Sequence, residues 1–332
     1  MAITFVGSHV GTHAATTAQT VNFTSLLNSS GGNTLPATGD IVFVAVENSS
    51  TVDRGAGALV PTGYTAAHTA DYRNDNNDSN FQVSYKVMGA TPDTTVDIPA
   101  TNSTSSGVAY AIYVFQGVDT TTPQDVTTVV TGGINTGIAN AAAITPVTAG
   151  AWIAVFGGAA VAAGGGGALF TNPAGMDTTT NYFRSAAITS TSNDAVIGGA
   201  LYTGWTSGAY DPAAFGGSTS SNTGSWSAVT VALRPSSPDV TVALTGQSLT
   251  ASGGSLAVTI APALTGSALT ASIGTVTVAS SDVTVALTGL SLSAAQGSVA
   301  AANSKALTGQ SLTAALGAIT PANALGISGQ AS

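Results

Sequence analysis

Alternating apolar and polar residues dominate the C-terminal third of the chain. Val240, Val242 and Leu244 alternate with polar or small residues, and so do Leu249 and Ala251 further along. Residues two apart lie on the same face of an extended chain, so this alternation predicts β-strands. Thr-Gly steps and a second glycine interrupt it at intervals, where the backbone would turn. The pattern therefore predicts short strands joined by tight turns.

This pattern repeats. Four copies beginning with ALTG start at Ala243, Ala263, Ala286 and Ala306, spaced by 20, 23 and 20 residues, and a truncated copy begins near Gly326. A single copy has few aliphatic side chains and no aromatic one, too little to offset about 1–2 kcal/mol per residue of backbone ordering. Copies must therefore pack on one another. They can do so as a solenoid-like stack within one chain or as an interchain shaft of several chains.

The first 235 residues contain a weaker duplication. The segment from Gly39 matches the segment from Gly150 at an offset of 111, and residues 60–64 match residues 172–176 at an offset of 112. Residues 81–89 and 107–115 have counterparts at offsets of about 115 and 117. Each half thus predicts about four strands, and eight or more antiparallel strands with Gly- and Asn-rich turns predict a jelly-roll-like β-sandwich.

An all-β protein of two domains follows from these patterns. The run RPSSPD at 234–239 predicts a linker, which separates an internally duplicated sandwich at 1–235 from the β-repeats at 236–332. No aromatic residue follows Trp226. The bulky residues of the predicted strands are expected in the core: Phe43, Tyr85, Tyr110, Phe115, Trp152, Phe156, Tyr202 and Trp226.

Charged residues are scarce, and this scarcity argues against some classes of function. Charged residues make up 6% of the chain, against about 25% in ordinary globular proteins. Six Lys and Arg residues stand against 15 Asp and Glu residues, so we expect no nucleic-acid partner. No positive residue precedes Arg54, so no export signal is visible. The apolar stretch at 151–170 is interrupted by glycines, which favours a buried strand at 152–156 over a membrane helix.

Two stretches resemble proteins of bacteriophage particles. GDIVFVAV, VPTGYT, FQVSYKVMGAT and YAIYVFQGVDTTTPQD, between residues 39 and 125, resemble a β-sandwich module of tailed-bacteriophage virion proteins. The ALTGxxLxAxxGxV repeat resembles repeats appended to phage structural proteins. The resemblance implies a virion component, such as a tail fibre, a head fibre or a capsid-decorating protein, and it brings no catalytic residues with it. Its expected partners are further copies of the chain, as a homo-oligomer such as a trimer, and other virion proteins.

Catalytic chemistry has little support in the sequence, and we predict that the protein is not an enzyme. Hydrolysis of glycosidic bonds needs two carboxylates at a set separation, but Glu47 is the one glutamate of the chain. His9 and His13 have the spacing of a helical metal pair, yet their segment is Gly- and Thr-rich and is expected to be extended. A polysaccharide hydrolase is the least favoured function.

A ligand has two candidate sites. Oxygen donors are concentrated at 71–80, where Asp71, Asp75 and Asp78 are candidate ligands of a structural calcium ion, although the glycine and glutamate of an EF-hand are missing. The alternative interpretation is a solvated loop, and no other cofactor is expected. If the protein is instead an adhesive module that recognises host-surface glycans, aromatic side chains in loops would stack on the sugars: Tyr72, Tyr182, Trp205 and Tyr210.

Overall fold

Two compact units, Met1–Pro238 and Asp239–Ser332, make up the chain. The computed structural model describes residues 2–14, 16–50, 52–55, 57–73, 78–100, 107–134, 138–162, 169–188, 193–217 and 224–236, and beyond these the backbones of the strands between residues 244 and 321. In this described part there is no α-helix, and no helix long and apolar enough to cross a membrane. The prediction of an all-β protein is confirmed.

The first half of the sandwich forms one antiparallel sheet of eight strands. Its order is β4-β3-β1-β10-β5-β8-β6, and β7 also pairs with β8. Strands β2 and β9 form a separate ribbon, and one 3₁₀ turn spans Phe23–Ser25. The strands are β1 (Thr4–Ala14), β2 (Gln19–Asn22), β3 (Leu26–Leu27), β4 (Asn33–Thr34), β5 (Ile41–Ser49), β6 (Thr65–Ala66), β7 (Asp71–Arg73), β8 (Ser79–Val87), β9 (Thr95–Ile98) and β10 (Gly107–Gln116).

The second half forms the opposite sheet with the same connections. Its order, β11-β15-β12-β14-β13, matches β1-β10-β5-β8 followed by β6 or β7 in the first sheet. Each half of the sandwich therefore builds one complete sheet, with the strands in the same sequence of neighbours. The strands are β11 (Val129–Gly133), β12 (Trp152–Ala162), β13 (Arg184–Ile188), β14 (Asn193–Tyr202) and β15 (Trp226–Leu233).

Both faces of both sheets are covered, which explains why the long strands are apolar along their whole length rather than alternating. Every residue of β5 is buried. The inner faces enclose a core around Phe43, Tyr113 and Phe156. Loops around Phe215 cover the outer face of the second sheet, and the segments around Phe23 cover that of the first. Of the predicted core aromatics, Phe43, Tyr110, Phe115 and Phe156 are buried, whereas Tyr85, Trp152, Tyr202 and Trp226 are half-buried.

Large and small residues alternate between equivalent positions of β5 and β12. At the offset of 111, Phe43 corresponds to Ala154, Ala45 to Phe156, and Glu47 to Gly158. All six positions face the space between the sheets, and the rings of Phe43 and Phe156 stack with centroids 6.4 Å apart. Wherever one sheet has a bulky residue, the equivalent position of the other sheet has a small one. The two related sheets can therefore pack face to face without overfilling the core.

The repeat unit consists of parallel strands in register. Copies pair as β16-β19, β17-β20-β22-β24 and β18-β21-β23-β25, so that Leu249, Leu269, Leu292 and Leu312 hold the same position. Within this one chain the copies stack in a solenoid-like way. An interchain shaft stays a prediction. The strands are β16 (Leu244–Thr245), β17 (Ser248–Ala251), β18 (Leu256–Ile260), β19 (Leu264–Thr265), β20 (Ala268–Ala271), β21 (Val276–Ser280), β22 (Ser291–Ala294), β23 (Val299–Ala302), β24 (Ser311–Ala314) and β25 (Ile319–Pro321).

Candidate functional site

Two of the candidate calcium ligands are described: Asp71 begins β7, and Asp78 immediately precedes β8. Asp71 Oδ2 accepts a hydrogen bond from Arg73 Nε at 2.9 Å, and Asp78 Oδ2 accepts one from the Tyr72 hydroxyl at 2.9 Å. Asp75 lies outside the described residues. Within the part of the chain that the structure describes, no three His, Cys, Asp or Glu residues are grouped so that they could hold a metal ion. Calcium binding stays a prediction.

Trp205 is not placed to stack on a sugar. The side chain is only 8% exposed and belongs to the apolar layer that covers the outer face of the second sheet. Its indole Nε1 donates a hydrogen bond to the Gly208 carbonyl at 2.9 Å. The sequence-based expectation of an exposed ring is corrected here, because the loop that carries Trp205 folds back onto the sheet instead of projecting from it.

Tyr182 and Tyr210 are half-buried and lie near one carboxylate. Tyr210 stacks on Tyr202 with ring centroids 4.2 Å apart and planes at 9°, whereas Tyr182 packs against Phe5 at 4.8 Å. Burial raises the pKa of both Tyr182 and Tyr210, and the charge of Asp177 raises it further. These two predicted residues therefore share a neighbourhood. No described contact joins Tyr72, on the first sheet, to them.

A groove of about 540 Å³ opens at one side of the sandwich, where edge strand β7 of the first sheet meets edge strand β11 of the second. We call it the β7–β11 groove. A Cβ on Gly132 of β11 would lie 2.8 Å from Asp71 Oδ2 and would also collide with Arg73 Nε, so the glycine lets this ion pair sit against the opposite sheet. The groove is lined by Ala67, His68, Thr69, Ala70, Asp71, Arg73, Thr127, Thr128 and Val130.

Behind the groove lies a polar region between the sheets. The Ser227 hydroxyl of β15 donates to Asp71 Oδ2 at 2.6 Å, and the Ser79 hydroxyl donates to Glu47 Oε2 at 3.0 Å. Glu47 is fully buried, and its Oε1 has no hydrogen-bond partner among the described residues. A Cβ on Gly158 would be 2.5 Å from Glu47 Oε2, so the carboxyl group occupies the space that this glycine leaves.

Electrostatics in this region favour neutral side chains. Burial raises the pKa of Glu47 well above its usual range; the hydrogen bond from Ser79 opposes this, and the charge of Asp71 adds to it. Burial likewise lowers the pKa of His68. The Val83 N–H donates to His68 Nε2 at 2.9 Å, which requires an unprotonated Nε2. Arg73 and Asp71 balance one another at 2.9 Å.

Sequence reasoning named Asp71 but not the groove that it lines. Arg73 lies two residues further along the same short strand, and Thr128 precedes β11, more than fifty positions away. One signal was present for Glu47: it follows Phe43 and Ala45 at intervals of two and so belongs to their inward face. The contact of β7 with β11 across the open side had no such signal, since it depends on how the two sheets stack.

Comparisons of the chain with models of protein families, with curated proteins and with solved structures found no match.

Proposed function

We propose that the chain is a non-enzymatic structural component of a bacteriophage virion, such as a fibre or a capsid-decorating protein. The sandwich is its rigid head and the repeats are its connector or stalk. The observation that carries this proposal is the parallel, in-register pairing of four successive copies, from β17 to β24 and from β18 to β25. A stack of this kind adds length with each copy, and each copy contacts only its neighbours, which suits a connector or stalk.

The construction of the sandwich supports a mechanical role. Both sheets are buried on both faces, and three apolar clusters run through them. Dense packing of this kind resists deformation and has low compressibility. A protein that holds its place in a particle needs such rigidity more than it needs a mobile cleft.

The basic side chains of the sandwich are paired within it. Each basic side chain of the first 235 residues makes a hydrogen bond or an ion pair within the sandwich. Surfaces with few charged groups associate at a smaller cost of desolvating ions, which suits contacts among many copies of one chain or with other virion proteins. The five basic residues are Arg54, Arg73, Lys86, Arg184 and Arg234.

The position of Glu47 supports the absence of hydrolytic activity. A general acid or nucleophile must touch the scissile bond, and Glu47 is fully buried between the sheets. Asp71, whose charge helps to raise the pKa of Glu47, is paired with Arg73 and Ser227. Glu47 therefore lies in the interior, out of reach of a scissile bond, so it cannot form a catalytic carboxylate pair with Asp71.

Antibody labelling of particles tests the proposal. Antibodies raised against the purified protein should decorate intact virions of the phage that encodes it, at a regular position and in many copies per particle. In solution, the mass of the full chain and of a chain ending at Arg234 should show whether copies associate and through which unit. Unlabelled particles, or cleavage of a polysaccharide by the purified protein, would contradict the proposal.

A further inference from the structure

We propose that the β7–β11 groove binds a neutral sugar ring through two adjacent hydroxyl groups. This goes beyond the structural role proposed above and does not depend on it. The groove, at about 540 Å³, falls within the usual range for small-molecule sites, and it lies in the open side of the sandwich rather than among the predicted aromatic residues.

The first observation is an incompletely used ion pair. Arg73 donates a hydrogen bond to Asp71 through Nε, while its two terminal nitrogens make no hydrogen bond to the described residues. Asp71 accepts the hydrogen bonds from Ser227 and Arg73 on the same oxygen, Oδ2, so Oδ1 can accept a hydrogen bond from another donor. The terminal nitrogens of Arg73 are hydrogen-bond donors, and Asp71 Oδ1 is an acceptor. Two adjacent hydroxyl groups can pair with both, because each hydroxyl donates and accepts.

The second observation is an orphaned hydroxyl. Thr128 lines the groove and is 8% exposed, and its Oγ1 has no hydrogen-bond partner among the described residues. A buried polar atom without a partner costs about 1–3 kcal/mol, and a ligand hydroxyl or an ordered water in the groove would supply the partner that the described residues do not. The side chain of Thr127, the next residue, is exposed at the same groove and can add a second hydroxyl.

Charge decides between classes of ligand. An anion would require net positive charge, but Asp71 neutralises Arg73 at 2.9 Å and His68 is held neutral by the Val83 N–H. A cation would meet the guanidinium group of Arg73. The ligand that remains is neutral and rich in hydroxyl groups, and the apolar side chains of Ala67 and Val130 give its C–H face a surface to cover.

A titration of the full chain with methyl hexopyranosides tests the proposal. Binding is detected by chemical-shift changes and by saturation-transfer NMR. At least one glycoside should bind in the millimolar range. Thr128→Val should weaken it about three- to tenfold, because one hydrogen bond is lost. Arg73→Lys should weaken it at least about tenfold, because a single ammonium group cannot reproduce the planar fork that pairs with Asp71 through Nε and presents two further nitrogens to the ligand. Thr62→Val, the same chemical change outside the groove, should leave binding unchanged.

Folding is controlled in the same experiment. Since Thr128 Oγ1 makes no hydrogen bond to the described residues, Thr128→Val should keep or raise the melting temperature. The proposal is overturned if no glycoside binds, or if binding is indifferent to both groove variants. It is also overturned if inorganic phosphate or acetate binds in the groove in preference to every glycoside, because the groove would then recognise charge.

Discussion

The hydroxyl group of Tyr113, on the first sheet, donates a hydrogen bond of 2.6 Å to the carbonyl of Gly199, on the second. The two residues also touch through the ring, since a Cβ built on Gly199 would lie 2.5 Å from Tyr113 Cε2. The absence of a side chain at residue 199 thus allows a fully buried tyrosine to cross from one sheet to the other. This contact connects the sheets at the centre of the sandwich.

Gly199→Ala should therefore destabilise the sandwich. The added methyl group meets a ring that is packed on all sides, and overfilling a core in this way costs about 1–3 kcal/mol. The free energy of unfolding, from urea titration, measures the change. Gly89→Ala is the matched control, since a Cβ there has nothing within 4 Å, and its effect should stay within about 0.5 kcal/mol. Equal effects of the two substitutions would show that residue 199 has room.

Glu47 should make the protein less stable as the pH rises from acid to neutral. The pKa of Glu47 is raised in the folded state, so above the unfolded value of about 4.3 the folded chain keeps a proton that the unfolded chain has lost. The free energy of unfolding then falls with pH until the folded pKa is reached. Glu47→Gln, which keeps the shape of the neutral side chain, should remove this fall and be more stable than the wild type at pH 7.

The test of Glu47 needs a control for the change in net charge. Asp211→Asn changes the net charge by the same amount at an exposed position and should leave the pH dependence of unfolding intact. Urea midpoints measured from pH 4 to pH 8 give the comparison. If wild type and Glu47→Gln show parallel profiles, Glu47 is solvated or paired in solution and the buried arrangement is wrong.

Asp125 should make the protein more stable as the pH rises, which is the opposite of the effect of Glu47. Burial by itself would raise its pKa, but hydrogen bonds from Thr148 and the Val147 N–H, together with the charge of Arg234, outweigh burial and lower it. Its contribution to stability is complete above the unfolded pKa, about 3.9, and is lost as the pH falls toward the folded pKa.

Asp125→Asn should thus cost about 3 kcal/mol at pH 7, because the amide keeps one acceptor oxygen and Arg234 loses its ionic partner. The difference from wild type should shrink at pH 3, because part of the stabilisation by the Asp125 carboxylate has then been lost, whereas the amide of the variant is uncharged at every pH. Asp211→Asn again serves as the exposed control. A penalty that is independent of pH would mean that packing, and not the charge, accounts for the effect.

The fold class followed from the sequence because strand periodicity and turn residues are local properties. The register of the second sheet did not. Lys86 and Tyr202 pair with the equivalent residues Val42 and Ile153, which gives an offset of 116, whereas the sequence match suggested about 115. A slip of one residue turns every side chain of a strand to the other face, so register depends on packing that no local pattern records.

The candidate site was less predictable for a related reason. Trp205 is a large residue in a Gly-rich loop, and its sequence context does not reveal whether the loop projects or folds back. In the structure it is buried against the outer face of the second sheet. The β7–β11 groove is formed by edges of two sheets that are remote in sequence, so its donors come together only once the sandwich has closed.

The repeat unit offers the last prediction. Thr270 lies in β20, which pairs on one side with β17, opposite Thr250, and on the other with β22, opposite Ser293. Proline there has no N–H for the ladder and should separate the first copy from the third. Thr270→Pro should therefore make residues 239–332 sensitive to limited proteolysis and reduce the β signal in circular dichroism. Thr270→Val, which keeps the N–H, should behave like wild type. Unchanged proteolysis of the proline variant would contradict the pairing of β20 between β17 and β22.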